Sequence, residues 1–442
     1  EAVFCRERLF QGIESCAFRR SLTSVVSLDA FPLKIPFQMG KLNPALSPLQ
    51  KKTSTNVYPP VPKNCVVTGG TGFVGTRLVE MLVERGAERV VSFDIVPMES
   101  AVSAWQHPVI EYVVGDITNY NDVLVALEGA DCVWHLAAAV GPFHPRELYR
   151  KVNYGGTMNV IRACFQLGVK KLVMSSSPST RFKGGLFHRP CVDGLTEDEM
   201  PKLPLDSYMQ MYAETKAEAE LAVTAASCDD LLTVSVAPHQ VYGPRDNLFL
   251  PNMLEAAGTG KLRVFGSGKN RICFTHVDNY AHGLIIAERG LYKGSPILGK
   301  FYIVTDGSTH PEPDAYCIFW NELDKAVVAM GFVSIHKKIR VSFWLIYVVA
   351  LAGELVGWMF GFVFKLNVFN VFVLTMHRWF RITAAERDLG YRPIISFTEG
   401  WDDTITWFKM NWLPTFEGRS RSLLGLSHRS QQKIDIQARM TR

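Results

Sequence analysis

Tyr212 and Lys216, in the string Tyr-Ala-Glu-Thr-Lys, are residues whose types and spacing could support chemistry. Residues four apart lie on the same face of a helix, so we expect the phenol and the ammonium to be neighbours. A free phenol has a pKa of about 10, which is too high for a base at neutral pH, and a nearby ammonium favours the phenolate. The pair therefore predicts proton transfer, with Tyr212 as general base and Lys216 as the residue that lowers its pKa.

A glycine-rich string runs from Thr68 to Gly75, directly after an apolar run that predicts a strand. Gly69 allows a tight turn, Gly72 lets the backbone approach a pyrophosphate, and Gly75 lets the following helix pack closely on the strand. Backbone N–H groups at the start of that helix would face the phosphates. Together with the acid/base pair, the string predicts hydride transfer involving a dinucleotide. The residues of this string expected to hold the dinucleotide are Gly69, Thr71, Gly72, Phe73, Val74 and Gly75.

Polar or small residues at the ends of later predicted strands complete the expected dinucleotide site. Asp94 ends the second strand, where it would accept hydrogen bonds from the adenosine ribose and repel a 2′-phosphate, so NAD is preferred and NADP stays open. Asp116 and Ile117 follow the third strand, where a carboxylate could meet the adenine amino group. Ala137 and Ala138 follow the fourth strand, and their small side chains would let the dinucleotide pass close by.

A run of serines ends the fifth predicted strand. Ser177 is favoured to hydrogen-bond the substrate oxygen, and the rival serines are Ser175, Ser176 and Ser179. His135 is interpreted as a packed histidine rather than a catalyst. The nine cysteines include no CxxC pair and no regular spacing, which argues against a zinc site and a disulfide framework and indicates a reducing compartment. The sequence therefore predicts no metal.

Strand-like and helix-like segments alternate from residue 64 to residue 240, which predicts a Rossmann-type, doubly wound parallel sheet. The predicted strands are 65–67, 89–94, 111–114, 132–136, 172–175 and 233–237, and the predicted helices are 72–85, 122–127, 152–167 and 208–226.

The fold class expected for the whole chain is α/β, with a smaller mixed substrate-binding part and an apolar membrane-associated arm. Residues 1–60 are expected to be a disordered or non-native leader, with Met39 as the native start and 40–63 as an irregular lead-in. The remaining parts are an NAD-binding domain with the catalytic residues at 61–240, a substrate-binding part at 241–335 and 381–410, the arm at 336–380, and a basic tail at 411–442.

The net charge of +5 is concentrated at the two ends of the chain. Residues 1–60 contain eight Lys/Arg and four Asp/Glu, and residues 416–442 contain six and two, so the part between them is slightly acidic. Nucleic acid is therefore an unfavoured partner.

The segment 343–364 is a 22-residue apolar run whose only charge is Glu354, and 366–376 is nearly as apolar. A spanning helix, a buried helix pair and a monotopic arm that dips into one leaflet are all considered. A single span would separate 381–408 from the rest of the fold, and a mid-run carboxylate is costly in lipid, so the monotopic arm is favoured. The basic residues expected to face anionic headgroups are Lys337, Lys338, Arg340, Arg378 and Arg381.

These motifs together resemble the extended short-chain dehydrogenase/reductase family, and further strings resemble its 3β-hydroxysteroid dehydrogenase branch. The resemblance covers about residues 63–410. The additional strings that carry it are 152–159, 237–246, 268–270, 274–279 and 389–393. Within the branch, the chain most resembles the decarboxylating sterol dehydrogenases of sterol C4 demethylation.

The resemblance implies catalytic roles for Tyr212, Lys216 and Ser177, with Asn153 supporting the proton relay. It implies oxidation of the 3β-hydroxyl of a 4α-carboxysterol, followed by loss of CO₂ from the resulting β-keto acid. One of five basic residues is considered for contact with the carboxylate, although a solvated surface charge is the favoured interpretation of each taken singly; they are Arg181, Lys183, His188, Arg189 and Arg245. It also implies a site on the cytosolic face of the endoplasmic reticulum membrane, association with other C4-demethylation enzymes, and a homodimer formed through helices near 122–129 and 208–226.

Three other functions are weighed against this interpretation. A 3β-hydroxysteroid dehydrogenase/isomerase would need a further acid/base residue, which the sequence does not identify. A soluble nucleotide-sugar epimerase would have no use for the apolar arm. A catalytically silent nucleotide-sensing scaffold would have no need for Tyr212 and Lys216.

Overall fold

A seven-stranded parallel sheet organises the chain, and its strand order is β11-β7-β5-β4-β1-β2-β3. The computed structural model describes residues 42–101, 104–141, 144–185, 191–360 and 366–420. The strands of the large sheet are β1 (Asn64–Thr68), β2 (Arg89–Asp94), β3 (Ile110–Val114), β4 (Cys132–His135), β5 (Lys171–Ser175), β7 (Leu232–Pro238) and β11 (Phe301–Val304). The order reverses between β1 and β4, which is where ligands bind in sheets of this kind.

Two smaller sheets accompany the large one. They contain β6 (Val192–Leu195), β8 (Val241–Tyr242), β9 (Arg271–Ile272), β10 (Thr275–His276), β12 (Cys317–Ile318) and β13 (Arg378–Phe380). Strands β10 and β8 pair with each other, and the four-stranded sheet has the order β12-β9-β13-β6. Strand β6 comes from the segment assigned to the nucleotide-binding part, yet it pairs with β13 from the segment assigned to the arm.

The helices of the first half are α1 (Pro48–Ser54), α2 (Phe73–Glu84), α3 (Tyr120–Leu127), α4 (Arg146–Tyr149), α5 (Thr157–Leu167) and α6 (Met211–Ala225). Those of the second half are α7 (Leu250–Gly258), α8 (Val277–Arg289), α9 (Phe319–Ala329), α10 (Phe343–Phe360), α11 (Val368–Thr375), α12 (Thr383–Asp388), α13 (Phe397–Asn411) and α14 (Leu413–Ser420).

The predicted doubly wound parallel sheet is confirmed, with strand ends shifted by one residue at most places. Strand β11 was not predicted, because its four apolar residues lie in a stretch whose pattern looked mixed. The helix predicted over 152–167 is interrupted at its start, since 150–156 form a wider π-helical turn before α5 begins. Two glycines lie in this turn, and Gly156 packs so closely on Ile117 that an added Cβ would meet its Cγ2 at 2.8 Å.

The expectation that residues 40–63 form an irregular lead-in is wrong at α1. Ser47 and Gln50 form a reciprocal capping box at its start. The fully buried Gln50 side chain donates a 2.7 Å hydrogen bond to Asp278 on α8. The amide of Asn43 donates to Glu80 on α2 at 2.6 Å. These contacts make residues 43–54 part of the folded body. The expectations for Met39, for 361–364 and for the tail beyond residue 420 lie outside the described residues.

The apolar arm divides into a buried and an exposed face. Ile346, Tyr347 and Ala350 of α10 are buried in the same core cluster as Phe372 of α11, and the rings of Tyr347 and Phe372 stack with centroids 5.7 Å apart. Glu354 accepts the backbone N–H of Val368 at 2.8 Å, at the start of α11. The mid-run carboxylate therefore has a structural partner in the turn between the two helices. Within the described ranges, no helix combines the length and apolar character needed to traverse a bilayer.

The expectation that Arg378 faces headgroups is wrong. Arg378 is only 7% exposed, because β13 lies inside the four-stranded sheet. Arg381 is half exposed, and its guanidinium pairs with Glu199 at 2.9 Å. Lys337 and Arg340 are exposed and Lys338 is partly exposed, so these three are the basic residues beside α10 that remain accessible.

Candidate active site

The glycine-rich turn joins β1 to α2 at the carboxyl edge of the sheet. Gly69 has a φ of +74°, and a Cβ there would lie 2.8 Å from the backbone nitrogen of Ala137. A Cβ on Gly75 would lie 2.0 Å from the carbonyl oxygen of Gly69. Gly72 is the N-cap of α2, and Phe73 and Val74 form its first turn. The turn can pack this closely against the loop after β4 and against α2 only because Gly69 and Gly75 lack side chains.

The other predicted dinucleotide residues lie along the same edge. Asp94 ends β2, and its carboxylate accepts the backbone N–H groups of Thr71 at 3.2 Å and Val96 at 3.1 Å. Asp116 follows β3 and accepts the N–H of Thr118 at 2.8 Å. The structure therefore brings Asp94 directly against the glycine-rich turn. Ile117 is buried against Gly156, and Ala138 is half-buried in the loop after β4.

His135 ends β4 and is buried between two threonines. Its Nδ1 lies 2.8 Å from the hydroxyl of Thr68, and its Nε2 lies 2.8 Å from the hydroxyl of Thr157. Burial lowers the pKa of His135 to about 3, so the ring is neutral at physiological pH. The same Thr68 hydroxyl accepts the N–H of Ala137 at 3.2 Å, which fixes the loop beside the glycine turn. His135 thus has a structural role, as the sequence interpretation proposed.

Tyr212 and Lys216 lie one turn apart near the start of α6. Lys216 is buried, with 3% of its surface exposed, whereas Tyr212 is partly buried. The Lys216 ammonium donates a 2.6 Å hydrogen bond to the carbonyl oxygen of Ser175, at the end of β5. This contact fixes the lysine at the edge of the sheet, beside the tyrosine.

The pKa values of the pair differ from the simple expectation. Burial raises the pKa of Tyr212 to about 12, and the Ser177 hydrogen bond opposes this rise. Burial lowers the pKa of Lys216 to about 8, while the carboxylate of Glu220 opposes that change. The predicted lowering of the Tyr212 pKa by Lys216 is therefore wrong, because burial of the phenol raises this pKa and the group that opposes the rise is Ser177.

The structure distinguishes the four candidate serines. Ser175 shares a 2.7 Å hydrogen bond with the hydroxyl of Tyr280, and Ser176 donates to Glu220 at 2.6 Å. Ser177 instead begins a 3₁₀ turn over Pro178–Arg181, and its side chain hydrogen-bonds that of Tyr212. Ser179 lies 2.8 Å from Ser177, hydroxyl to hydroxyl. Ser177 is thus the serine that the fold brings to the phenol.

Asn153 lies in the π-helical turn and connects three elements. Its amide oxygen accepts the N–H of Ala139 at 2.8 Å, and its amide nitrogen donates to the Thr215 hydroxyl at 3.1 Å. Thr215 lies between Tyr212 and Lys216 on α6, so Asn153 ties the catalytic helix to the loop after β4. π-turns of this kind are frequent at functional sites.

Three residues near the pair were not predicted. Glu220 continues the Tyr212/Lys216 stripe by one more turn, a spacing that could have indicated it. Tyr280 comes from α8 and contacts Ser175, a partner too distant in sequence to be inferred. Tyr149, on α4, places its ring 6.5 Å from that of Tyr212 at a steep angle.

The candidates for contact with a substrate carboxylate are mostly occupied elsewhere. Arg245 is 8% exposed and forms a two-pronged ion pair with Glu80, so the expectation for it is wrong. Arg181 pairs with Glu220. Lys183 forms an exposed pair with Asp206 at 3.0 Å. The remaining candidates, His188 and Arg189, lie outside the described residues.

Comparison with known proteins places this arrangement in a family. The model of the 3-beta hydroxysteroid dehydrogenase/isomerase family matches residues 66–328. The chain is similar to human sterol-4-alpha-carboxylate 3-dehydrogenase, decarboxylating, at 31% identity over 78% of this chain and 88% of the relative. It is also similar to a 2-alkyl-3-oxoalkanoate reductase of Stenotrophomonas maltophilia, at 32% identity over 76% and 96%.

A solved structure shows the same fold. The epimerase Mth375 of Methanothermobacter thermautotrophicus aligns over 83% of this chain and 97% of its own, with a TM-score of 0.60 and 22% identity. The extent of the family match, together with the glycine turn and the Tyr212/Lys216 pair at one sheet edge, shows that this chain belongs to the 3-beta hydroxysteroid dehydrogenase/isomerase family.

Proposed function

We propose that the protein oxidises the 3β-hydroxyl of a 4α-carboxysterol with NAD⁺, and that the product then loses CO₂. The observation that carries this proposal is the placement of Tyr212, Ser177 and Lys216 beside the glycine turn. Names of relatives support the substrate class. One relative is named for a sterol-4-carboxylate and another for a 3-oxoalkanoate, so carboxylic acids with an oxygen function on the β-carbon are common to both names.

The residues present fit a dinucleotide, because the absence of side chains at Gly69 and Gly75 lets the turn pack against the loop after β4 and against the start of α2, and the N-terminal N–H groups of α2 are then available to phosphates. The Asp94 carboxylate, which accepts the backbone N–H groups of Thr71 and Val96, is also the group that would accept hydrogen bonds from the ribose hydroxyls. Bound NAD⁺ supplies a hydride acceptor. The residues that would hold it are Gly69, Thr71, Gly72, Phe73, Val74, Gly75, Asp94, Asp116, Ile117, Ala137, Ala138, Tyr212 and Lys216.

The chain's own residues handle the proton. Tyr212 accepts the proton of the substrate hydroxyl while a hydride leaves the carbon that carries this hydroxyl. Ser177 hydrogen-bonds the hydroxyl oxygen as it becomes a carbonyl oxygen. Lys216 supplies the nearby positive charge that favours the phenolate. Asn153, through Thr215, keeps α6 in position for this transfer.

The second step follows from the product itself. A ketone at C3 and a carboxylate at C4 form a β-keto acid, in which the C4–carboxylate bond breaks and its electron pair moves onto the ketone oxygen as an enolate. A proton then returns to C4. Hydrogen bonds from Tyr212 and Ser177 to the enolate oxygen would stabilise this charge. The residues that perform the oxidation therefore suffice for the decarboxylation.

We further propose that α10 lies on a membrane, on the cytosolic face of the endoplasmic reticulum. Its outer face exposes the large apolar side chains Trp344, Leu345, Val348, Val349, Leu355, Val356, Met359 and Phe360. Basic residues beside it, including Lys337 and Arg340, would meet anionic headgroups. A sterol substrate would then reach the site from the bilayer. Dimerisation through α3 and α6, and association with other C4-demethylation enzymes, stay predictions.

The activity is tested by offering the protein NAD⁺ with a 4α-carboxysterol or with the same sterol lacking the carboxylate. Equal amounts of NADH and CO₂ from the acid, lost in Tyr212→Phe, are the expected result. NADH from the neutral sterol without CO₂ from the acid would favour the dehydrogenase/isomerase alternative instead. No turnover of either sterol by folded protein would contradict the proposed substrate class.

Membrane binding is tested by flotation with vesicles of phosphatidylcholine alone or with phosphatidylserine added. Replacing Trp344, Leu345 and Val348 together with serine is expected to abolish flotation. The matched control is Val125→Ser on α3, a side chain that is 64% exposed. Equal flotation of the triple variant and the control would show that α10 is not the contact.

A further inference from the structure

Arg378 is a buried guanidinium for which the described part of the chain supplies no carboxylate partner. The residue is 7% exposed at the start of β13. Its Nη1 lies 3.2 Å from Nε2 of His239, and its buried Nε has no hydrogen-bond partner. Burial lowers the pKa of Arg378 to about 10, so the group still carries its charge at neutral pH.

Two other buried arginines of this fold are paired with carboxylates. Arg77 and Arg245 each contact glutamate carboxylates at 2.7 Å. Arg85 resembles Arg378 more closely, because its Nη2 lies 2.9 Å from Nδ1 of His282 and its buried Nε has no hydrogen-bond partner, but Arg85 also stacks over the ring of Tyr58 at 4.0 Å and lies in the field of Glu84. A buried charge without a counter-charge is destabilising, so its presence at Arg378 calls for a function.

His239 orients Arg378 without neutralising it. Nδ1 of His239 donates to the carbonyl oxygen of Cys273 at 2.7 Å, which leaves Nε2 as the acceptor that faces the guanidinium. Burial, together with the charge of Arg378, lowers the pKa of His239 well below its ordinary value. The ring is therefore neutral, and it contacts Nη1 of the guanidinium while the buried Nε has no hydrogen-bond partner.

The position of Arg378 connects it to the catalytic serine turn. Phe380 lies on the same face of β13, since residues two apart in a strand share a face. The ring of Phe380 lies 5.2 Å from His239 and 6.4 Å from Phe182, on which it stacks. Phe182 ends the 3₁₀ turn that Ser177 begins. A series of contacts thus leads from Arg378 through His239 and Phe380 to the residue that ends the turn of Ser177.

We propose that Arg378, held by His239, is the residue that recognises the carboxylate of the substrate. The inference rests on the proposed function and deepens it by assigning the group that selects a β-hydroxy acid over a neutral sterol. A planar guanidinium binds a carboxylate through two parallel hydrogen bonds, and the unpartnered Nε of Arg378 is a donor available for one of them. The bound carboxylate would supply the counter-charge that the fold omits.

The test measures binding rather than turnover. Full-length protein carrying Tyr212→Phe and saturated with NAD⁺ is titrated with a 4α-carboxysterol and with the matched sterol lacking the carboxylate. We expect the acid to bind more tightly by on the order of tenfold or more, and Arg378→Met to bring that ratio close to one. Arg378→Lys should retain part of the preference, and His239→Gln should weaken acid binding more than neutral binding.

Arg271→Met is the matched control, because Arg271 lies on the adjacent strand β9 but is half exposed and pairs with Asp193 at 3.2 Å. It should leave the acid-to-neutral ratio unchanged. Thermal unfolding is measured in parallel, and Arg378→Met should be at least as stable as its parent because it removes an uncompensated buried charge.

Three results would overturn the inference: no preference for the acid in the parent protein, equal loss of both ligands in Arg378→Met, or strong destabilisation by both Arg378→Met and Arg378→Lys. The test of Arg378 can fail or succeed independently of the test of the proposed function. Release of NADH and CO₂ by wild-type protein reports on the reaction, whereas the binding ratio reports on Arg378 even if turnover is absent.

Discussion

The ammonium of Lys216 donates a 2.6 Å hydrogen bond to the backbone carbonyl oxygen of Ser175. The acceptor belongs to the main chain of β5, so the contact does not depend on the identity of the Ser175 side chain. It fastens α6 to the end of a central strand, and Tyr212, one turn before Lys216, is thereby brought to Ser177, two residues after Ser175. The positions of Tyr212 and Lys216 are therefore fixed relative to the central sheet.

Lys216 is expected to set the pH dependence of oxidation. With the pKa of Lys216 at about 8 and that of Tyr212 at about 12, the pair keeps both protons at neutral pH and loses one as the pH rises through about 8. The value of kcat/KM for oxidation should therefore rise with pH and level off above this range, because the pair that has lost one proton includes the form with Tyr212 as phenolate and Lys216 as ammonium. In Lys216→Met, only the phenol remains to titrate, so the rise should move to higher pH. A profile unchanged by the substitution would contradict the assignment.

Gly75→Ala should prevent binding of the dinucleotide. The added Cβ would lie 2.0 Å from the carbonyl oxygen of Gly69, so the glycine turn and the start of α2 must separate. We expect an increase in the Kd for NAD⁺ on the order of a hundredfold or more, measured by calorimetry. Gly129→Ala is the control: Gly129 has a φ of +72°, so an added Cβ strains its own backbone, but nothing lies within 4 Å of that Cβ. Comparable losses in the two variants would indicate a general effect on folding.

Asp94→Asn should relax the preference between NAD⁺ and NADP⁺. The amide keeps the shape of the side chain next to Thr71 but removes the charge that would repel a 2′-phosphate. The ratio of kcat/KM for NAD⁺ to that for NADP⁺ should fall on the order of tenfold. If the ratio stays constant, another residue determines the preference.

Asn153→Ala should reduce both stability and kcat. The substitution leaves the N–H of Ala139 without its acceptor and frees Thr215 from the π-helical turn. Loss of a buried partner costs about 1–3 kcal/mol in the free energy of unfolding. Asn159→Ala is the comparison, because the amide of Asn159 donates a 3.1 Å hydrogen bond to the carbonyl oxygen of Ile117, in the loop after β3 and not on α6. Equal effects of the two substitutions on kcat would exclude a specific role for the link to α6.

Sequence patterns predicted those parts of the site that depend on the geometry of one or two neighbouring elements. The glycine turn, the position of Asp94 at the end of β2, the position of Ser177 just after β5, and the Tyr212/Lys216 spacing each follow from geometry within one or two elements. The pKa of Tyr212 could not be predicted in the same way, because it depends on burial by elements from elsewhere in the chain. The sign of the change was therefore wrong in the sequence analysis even though the pair was placed correctly.

The partners of charged residues were the least predictable feature. Arg245 looked available for a substrate, but it reaches Glu80, 165 residues earlier in the chain. Arg378 looked like a surface cation beside an apolar helix, yet the pairing of β13 between β6 and β9 buries it. Both outcomes are set by tertiary contacts that leave no periodic signal.

Helix α1 has a practical consequence for recombinant work. The family match starts at residue 66, so a fragment trimmed to that boundary would lack Asn43 and Gln50. The carboxylates of Glu80 and Asp278, which these amides now cover, would then be open to water on one side, and neighbouring apolar surface would be uncovered. We expect such a fragment to be poorly soluble, and a soluble preparation should retain every residue from Asn43 onward.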